Sequence, residues 1–61
     1  MTQLQAERKA AKETRRTGEP TLIYIIGGVY DWTLLSLYES DKAAGLSYAA
    51  ELEIDCIIRK E

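Results

Sequence analysis

Few residues in this chain of 61 could carry out chemistry. It has no histidine, so the commonest general base and metal ligand is missing. Its single cysteine, Cys56, sits in the run IDCII, where a thiol among isoleucines is expected to be an inert core group. Asp31, Asp41 and Asp55 show no spacing that would pair carboxylates for acid–base work; a turn, a cap and a surface position account for them. Gly27-Gly28 lacks the further glycines of a dinucleotide fingerprint and the Gly-Lys-Ser/Thr of a phosphate loop. No catalytic residue, cofactor or metal is therefore expected. The chain reads as a non-enzymatic binder.

Two groups of residues have the types that binding uses. Arg8, Lys9, Lys12, Arg15 and Arg16 recur at helical spacing, with 8, 12, 15 and 16 along one side. Such a stripe grips phosphates or an acidic protein groove. It is equally the pattern of a solvated helix face, and Lys9–Glu13 would neutralise part of it. Tyr30 and Trp32, expected at a loop tip, are of the kind that anchors partners at low entropic cost; the alternative is that Trp32 folds back to plug the core.

The totals limit the partners. A net charge of −2 and a pI near 5.1 argue against a dedicated polyanion binder, for which values above about 9 are typical. One cysteine cannot form an internal disulfide, so the staples of small secreted domains are missing. The start, MTQLQAERKAAKETRR, has no apolar block of the signal-peptide kind. The longest apolar stretch, Leu22 to Tyr30, is nine residues, well below the ~20 that cross a bilayer. A cytoplasmic protein with no membrane contact is expected. A chain this short buries only about 60% of its unfolded surface, so oligomerisation or a partner is the usual source of added stability. A homodimer is the expectation.

The elements that must position these residues follow from charge and periodicity. Residues 1–20 carry five bases and three acids, whereas 21–61 carry three bases and seven acids. A basic helical arm and linker (1–20) thus precedes an acidic domain (21–61). Thr2 and Gln5 form a capping box, good helix formers fill 3–16, and Gly18 and Pro20 stop the helix. Its apolar stripe of Leu4, Ala6, Ala10 and Ala11 is thin, which predicts weak packing.

Thr21–Val29 and Thr33–Glu39 read as two antiparallel strands. Gly27-Gly28 competes with Tyr30-Asp31-Trp32 as the turn between them. The second placement is preferred; residues 23, 25, 27 and 29 then oppose 39, 37, 35 and 33. Ser40 or Asp41 caps a second, alanine-rich helix running to about Leu52, and Ile54–Lys60 forms a third strand. The fold class predicted is α+β: a charged N-terminal helix followed by ββαβ, with a mainly antiparallel sheet of order 2-1-3 and one helix on one face. The other face, with Leu22, Tyr24, Ile26, Leu34 and Tyr38, is too apolar to stay wet and is expected to meet a second chain; the alternative is that the N-terminal helix packs there and completes a two-layer core.

From Leu22 to Arg59, and above all in VYDWTLLSLYESDKAAGLSYAAEL, the chain resembles small ββαβ proteins encoded by phages and other mobile elements. In these a strand runs through an acidic or serine-rich turn into an alanine-rich helix, as SLYESDKAA does. The resemblance implies a stoichiometric inhibitor or adaptor of host machinery, of the anti-CRISPR kind, often dimeric; no functional residue is carried over. The partner-binding residues expected are Tyr24, Tyr30, Trp32, Leu34 and Tyr38, with Arg8, Lys12, Arg15 and Arg16 on the helix. The alternative is a small nucleic-acid-associated regulator that uses the basic arm.

Overall fold

The capping box at Thr2 is where the first helix begins in the computed structural model, which describes all residues from Met1 to Glu61. The Thr2 hydroxyl accepts the Gln5 N–H at 3.1 Å, and the Gln5 side chain accepts the Thr2 N–H at 2.9 Å. Helix α1 (Gln3–Thr17) ends at Gly18, whose φ of 79° is the left-handed cap conformation and whose N–H closes on the Thr14 carbonyl. After Pro20 come strands β1 (Thr21–Ile26) and β2 (Val29–Leu34), helices α2 (Leu35–Ala43) and α3 (Ser47–Glu51), and strand β3 (Glu53–Ile58).

The sheet has the predicted order β2-β1-β3, with β1 central and antiparallel to both neighbours. The hairpin turn is Gly27-Gly28, not Tyr30-Asp31-Trp32. Both glycines have positive φ (56° and 77°), as a two-residue type I′ turn requires, and its twist matches the strands. The register therefore pairs Ile23 with Trp32 and Thr21 with Leu34. Pairing stops there because the next residue would oppose Pro20, which has no N–H; its carbonyl instead takes the Leu35 N–H at 3.0 Å. The chain turns helical at Leu35, and the expected strand of 33–39 is mostly α2. Leu35 and Tyr38, three apart, face inward on it. The single helix expected to Leu52 is broken at Gly45, whose φ is 78°.

Helices cover both faces, so the expectation of one covered face and one bare face is corrected. On the Ile23 face lies α1, with Ala6 and Ala10 wholly buried against Ile23 and backed by Tyr30, Trp32, Cys56 and Ile58. Its stripe is thin because the bulk comes from the sheet. Ala6, Ala10 and Thr14, four apart, make a smooth ridge that lets the helix lie close. A buried hydroxyl chain fastens it: Thr21 donates to the Ala10 carbonyl at 3.2 Å and so must accept the Thr14 hydroxyl, 2.9 Å away. On the Leu22 face, Leu22 is buried with Tyr38 and Ala49, backed by Leu35, Tyr48 and Leu52. Only eight of the 61 residues are buried, so each layer is held by a few contacts and the core is thin for what it must stabilise.

Candidate functional site

Strand β3 does not follow a simple alternation. Its register against β1 shifts between Ile23 and Tyr24, so that Cys56 faces Ile23 but Ile54 faces Tyr24, and Asp55 is the extra residue of a bulge. The bulge turns Ile54 onto the same face as Ile57. Both lie on the Leu22 face beside α2, and both are exposed, at 49% and 40%. With Leu35, Tyr38 and Ala43 they floor a shallow groove between α2 and β3. Glu39, Lys42 and Arg59, of both signs, rim it.

The two edges of the sheet are treated differently. At β2 the Tyr30 carbonyl takes the N-terminal ammonium of Met1 at 3.4 Å, and the Trp32 N–H is held by the Asp31 carboxylate at 2.7 Å. These contacts engage two of the backbone groups that this edge turns outward, the Tyr30 C=O and the Trp32 N–H. Along β3 no backbone group bonds outside the ladder with β1. The two-residue turn makes Ile26–Val29 a hydrogen-bonded pair; by alternation Leu22 turns its N–H and C=O toward β2. Ile57, opposite Leu22, therefore points its own N–H and C=O away from the sheet. An open edge beside an exposed apolar pair can accept an extended segment by strand addition.

The residues expected to bind partners are scattered. Tyr38 is only 7% exposed and packs on Leu22. Leu34 lies across from Thr21, on the α1 side of the sheet, half-buried. Tyr30 and Trp32 are not at a loop tip but within β2, packed on Ala6, Ala10 and Ile23. Tyr24 is half-buried on the Leu22 face, its ring centre 6.3 Å from that of Tyr48. Burial raises its phenol above the usual range, and the carboxylate of Asp31, its cross-strand neighbour, adds to this. The Tyr48 hydroxyl donates to Asp41, and that bond pushes the phenol up to about 12.

On α1, Arg8, Lys12, Arg15 and Arg16 are all exposed. Glu13 is paired by Arg16 rather than Lys9, through two hydrogen bonds of 2.8 and 2.6 Å. The pairing lowers the Glu13 carboxyl and raises the Arg16 guanidinium. Arg15 also lies beside Arg59 and Lys60 at the end of β3, so bases distant in sequence share one flank. Glu7 and Glu61 interrupt that flank. Burial, followed by the charges of Asp55 and Glu7, raises the Cys56 thiol, which disfavours the reactive thiolate. No group of His, Cys, Asp and Glu is placed to hold a metal ion, and no helix is long and apolar enough to cross a membrane.

Ile54 and Ile57 were not among the residues expected to bind. Their signal in the sequence was the charge around them: Glu53, Asp55 and Arg59 flank the isoleucines as charges flank natural edge strands. Comparison with protein-family models, with curated proteins and with solved structures finds no match to this chain.

Proposed function

We propose that the chain is a protein-binding module that acts by stoichiometric association rather than catalysis, docking partners on the β3 edge and the adjoining groove. The observation that supports this is the open β3 edge beside the exposed Ile54 and Ile57: none of its backbone groups bonds outside the ladder with β1, whereas on β2 the Asp31 carboxylate holds the Trp32 N–H. Main-chain hydrogen bonds along β3 would provide affinity, and side chains entering the groove would select the partner. A thin core makes such docking useful to the module itself, because binding stabilises the folded state. Inhibition or adaptor action, as the resemblance to mobile-element proteins implies, would follow from occupying a partner's surface.

The test is native mass spectrometry and sedimentation of the purified chain and of its complexes, comparing wild type with Ile57→Lys. The substitution should abolish association while circular dichroism stays native, since Ile57 is exposed in the free chain. Association indifferent to Ile57→Lys overturns the reading. Complexes that survive it but dissolve on Arg15→Glu and in raised salt would transfer the activity to the basic flank and to a polyanionic partner.

A further inference from the structure

We infer that the occupant of the β3 edge is a second copy of this chain, the two β3 strands pairing antiparallel about Ile57 to join two three-stranded sheets into one of six. This rests on the protein-docking reading above and names its partner. A two-fold axis at Ile57 is the geometry that an outward-facing residue allows: each Ile57 gives its N–H to, and takes its C=O bond from, the same residue of the copy.

Charge selects this register among its neighbours. With Ile57 opposite Ile57, Asp55 of each copy lies opposite Arg59 of the other, twice by symmetry, and its carboxylate exchanges the exposed 3.4 Å bond it takes from the Gln3 amide for a guanidinium. A shift of the axis to Asp55 sets carboxylate against carboxylate, and a shift to Arg59 sets guanidinium against guanidinium, both repulsive. An axis at Cys56 opposes Asp55 to Ile57 and loses the ion pairs. The bulge at Asp55 bends the strand at that point and stops the new ladder from running back toward Ile54. The paired segment is therefore short, 55–59, and specific in register. Because the axis lies across the sheet plane, both copies keep their Leu22 faces on one side. The exposed Ile57 side chains meet there, which covers apolar surface that each copy alone leaves wet.

Sedimentation equilibrium across a wide concentration range tests this on the full chain, with Asp55→Arg, Arg59→Asp and the double exchange. Wild type should dimerise. Each single exchange turns both symmetric pairs repulsive and should weaken the dimer by about tenfold or more; the double exchange restores both pairs with reversed sign and should recover the affinity to within about threefold. Both positions are exposed, and circular dichroism checks that the variants fold. As a second measure, Ile57→Cys with Cys56→Ala should form an intermolecular disulfide on mild oxidation, since hydrogen-bonded antiparallel partners lie about 5.5 Å apart at Cα, within disulfide range. A double exchange no better than the singles overturns the register, as does the absence of crosslink. A wild type that stays monomeric yet loses a captured protein on Ile57→Lys overturns self-pairing alone. A dimer unaffected by Ile57→Lys overturns this inference and the docking reading together.

Discussion

Whether α1 is a structural layer or a loose arm turns on the hydroxyl chain beneath it, and a Thr→Val cycle measures that chain. Thr14 and Thr21 are 2% and 0% exposed, and valine keeps their shape. In Thr21→Val the Thr14 hydroxyl loses its acceptor in a dry site. Leaving a buried donor unsatisfied costs about 1–3 kcal/mol, and the low end applies if that hydroxyl turns back to the Ala10 carbonyl one helical turn away. In Thr14→Val the Thr21 hydroxyl still donates to Ala10, so only one acceptor position is left empty, at about 0.5–1 kcal/mol. The double variant has no orphaned proton, and Ala10 keeps its helical bond from the Thr14 N–H. Its cost should lie below the sum of the singles by about 1 kcal/mol, since removing both partners of a buried bond is far less costly than removing one.

Urea denaturation followed by Trp32 fluorescence suits the measurement, because Trp32 packs on the same cluster and reports the seating of α1 directly. With a slope of about 1 kcal/mol/M for a chain this small, each kcal/mol moves the midpoint by about 1 M. The expected order of loss is Thr21→Val, then Thr14→Val, with strong coupling between them. Losses that add to within about 0.3–0.5 kcal/mol, or a larger loss in Thr14→Val, would refute the chain of donors as drawn, and with it the argument that these hydroxyls seat the helix.

Two further outcomes follow from local geometry. A Cβ at Gly28 would meet nothing within 4 Å, so Gly28→Ala should cost only the strain of its positive φ, about 1 kcal/mol in denaturation, while Gly27→Asn stays near wild type because asparagine accepts the left-handed turn. For Tyr48, raised from 10.0 to about 12 by its bond to Asp41, the protonated phenol is the form the fold prefers. Its contribution is fully present below pH 10 and is lost as pH rises toward 12. Tyr48→Phe should therefore lose less thermal stability than wild type between those values; parallel curves would remove the Asp41 bond from the account.

Much of the architecture was legible because independent signals agreed. The capping box, the helix formers and Gly18 delimit α1 together, and the uniformly apolar LIYII marks β1 as central. The sequence leaves two places for the hairpin turn, because glycine is costly inside a strand and favoured in a tight turn. The turn preference prevails here: a tight two-residue loop needs positive φ twice, and only Gly27-Gly28 supplies it without strain. The place of the turn also decides whether residues 33–39 pair with β1 or leave the sheet. In TLLSLYE the alternation of Thr33, Leu35 and Leu37 and the helical spacing of Leu35 and Tyr38 coexist, and local pattern does not separate them. The separation comes from Pro20, fourteen residues earlier in the chain, which ends the ladder opposite Leu34.

The exposed apolar surface is harder to read from sequence for a related reason. Aromatic residues in VYDW look like anchors in isolation, but once β2 pairs with β1 their side chains face α1 and become partly buried against it. Small residues on α1 draw them in: Ala6 and Ala10 bring little area of their own yet permit the close approach that buries Tyr30 and Trp32 from the other side. The surface left over is set by the bulge at Asp55, a property of the pairing between β3 and β1 and not of either segment. Strict alternation through IDCII would send Ile54 to the α1 side with Cys56 and Ile58; the extra residue instead sends it to join Ile57 at the open edge. The same bulge limits how far a second strand can run along that edge. A single inserted residue thus both creates the exposed isoleucine pair and shortens the ladder that could cover it, which is why the self-pairing inferred above draws its register from the charges at 55 and 59 rather than from length.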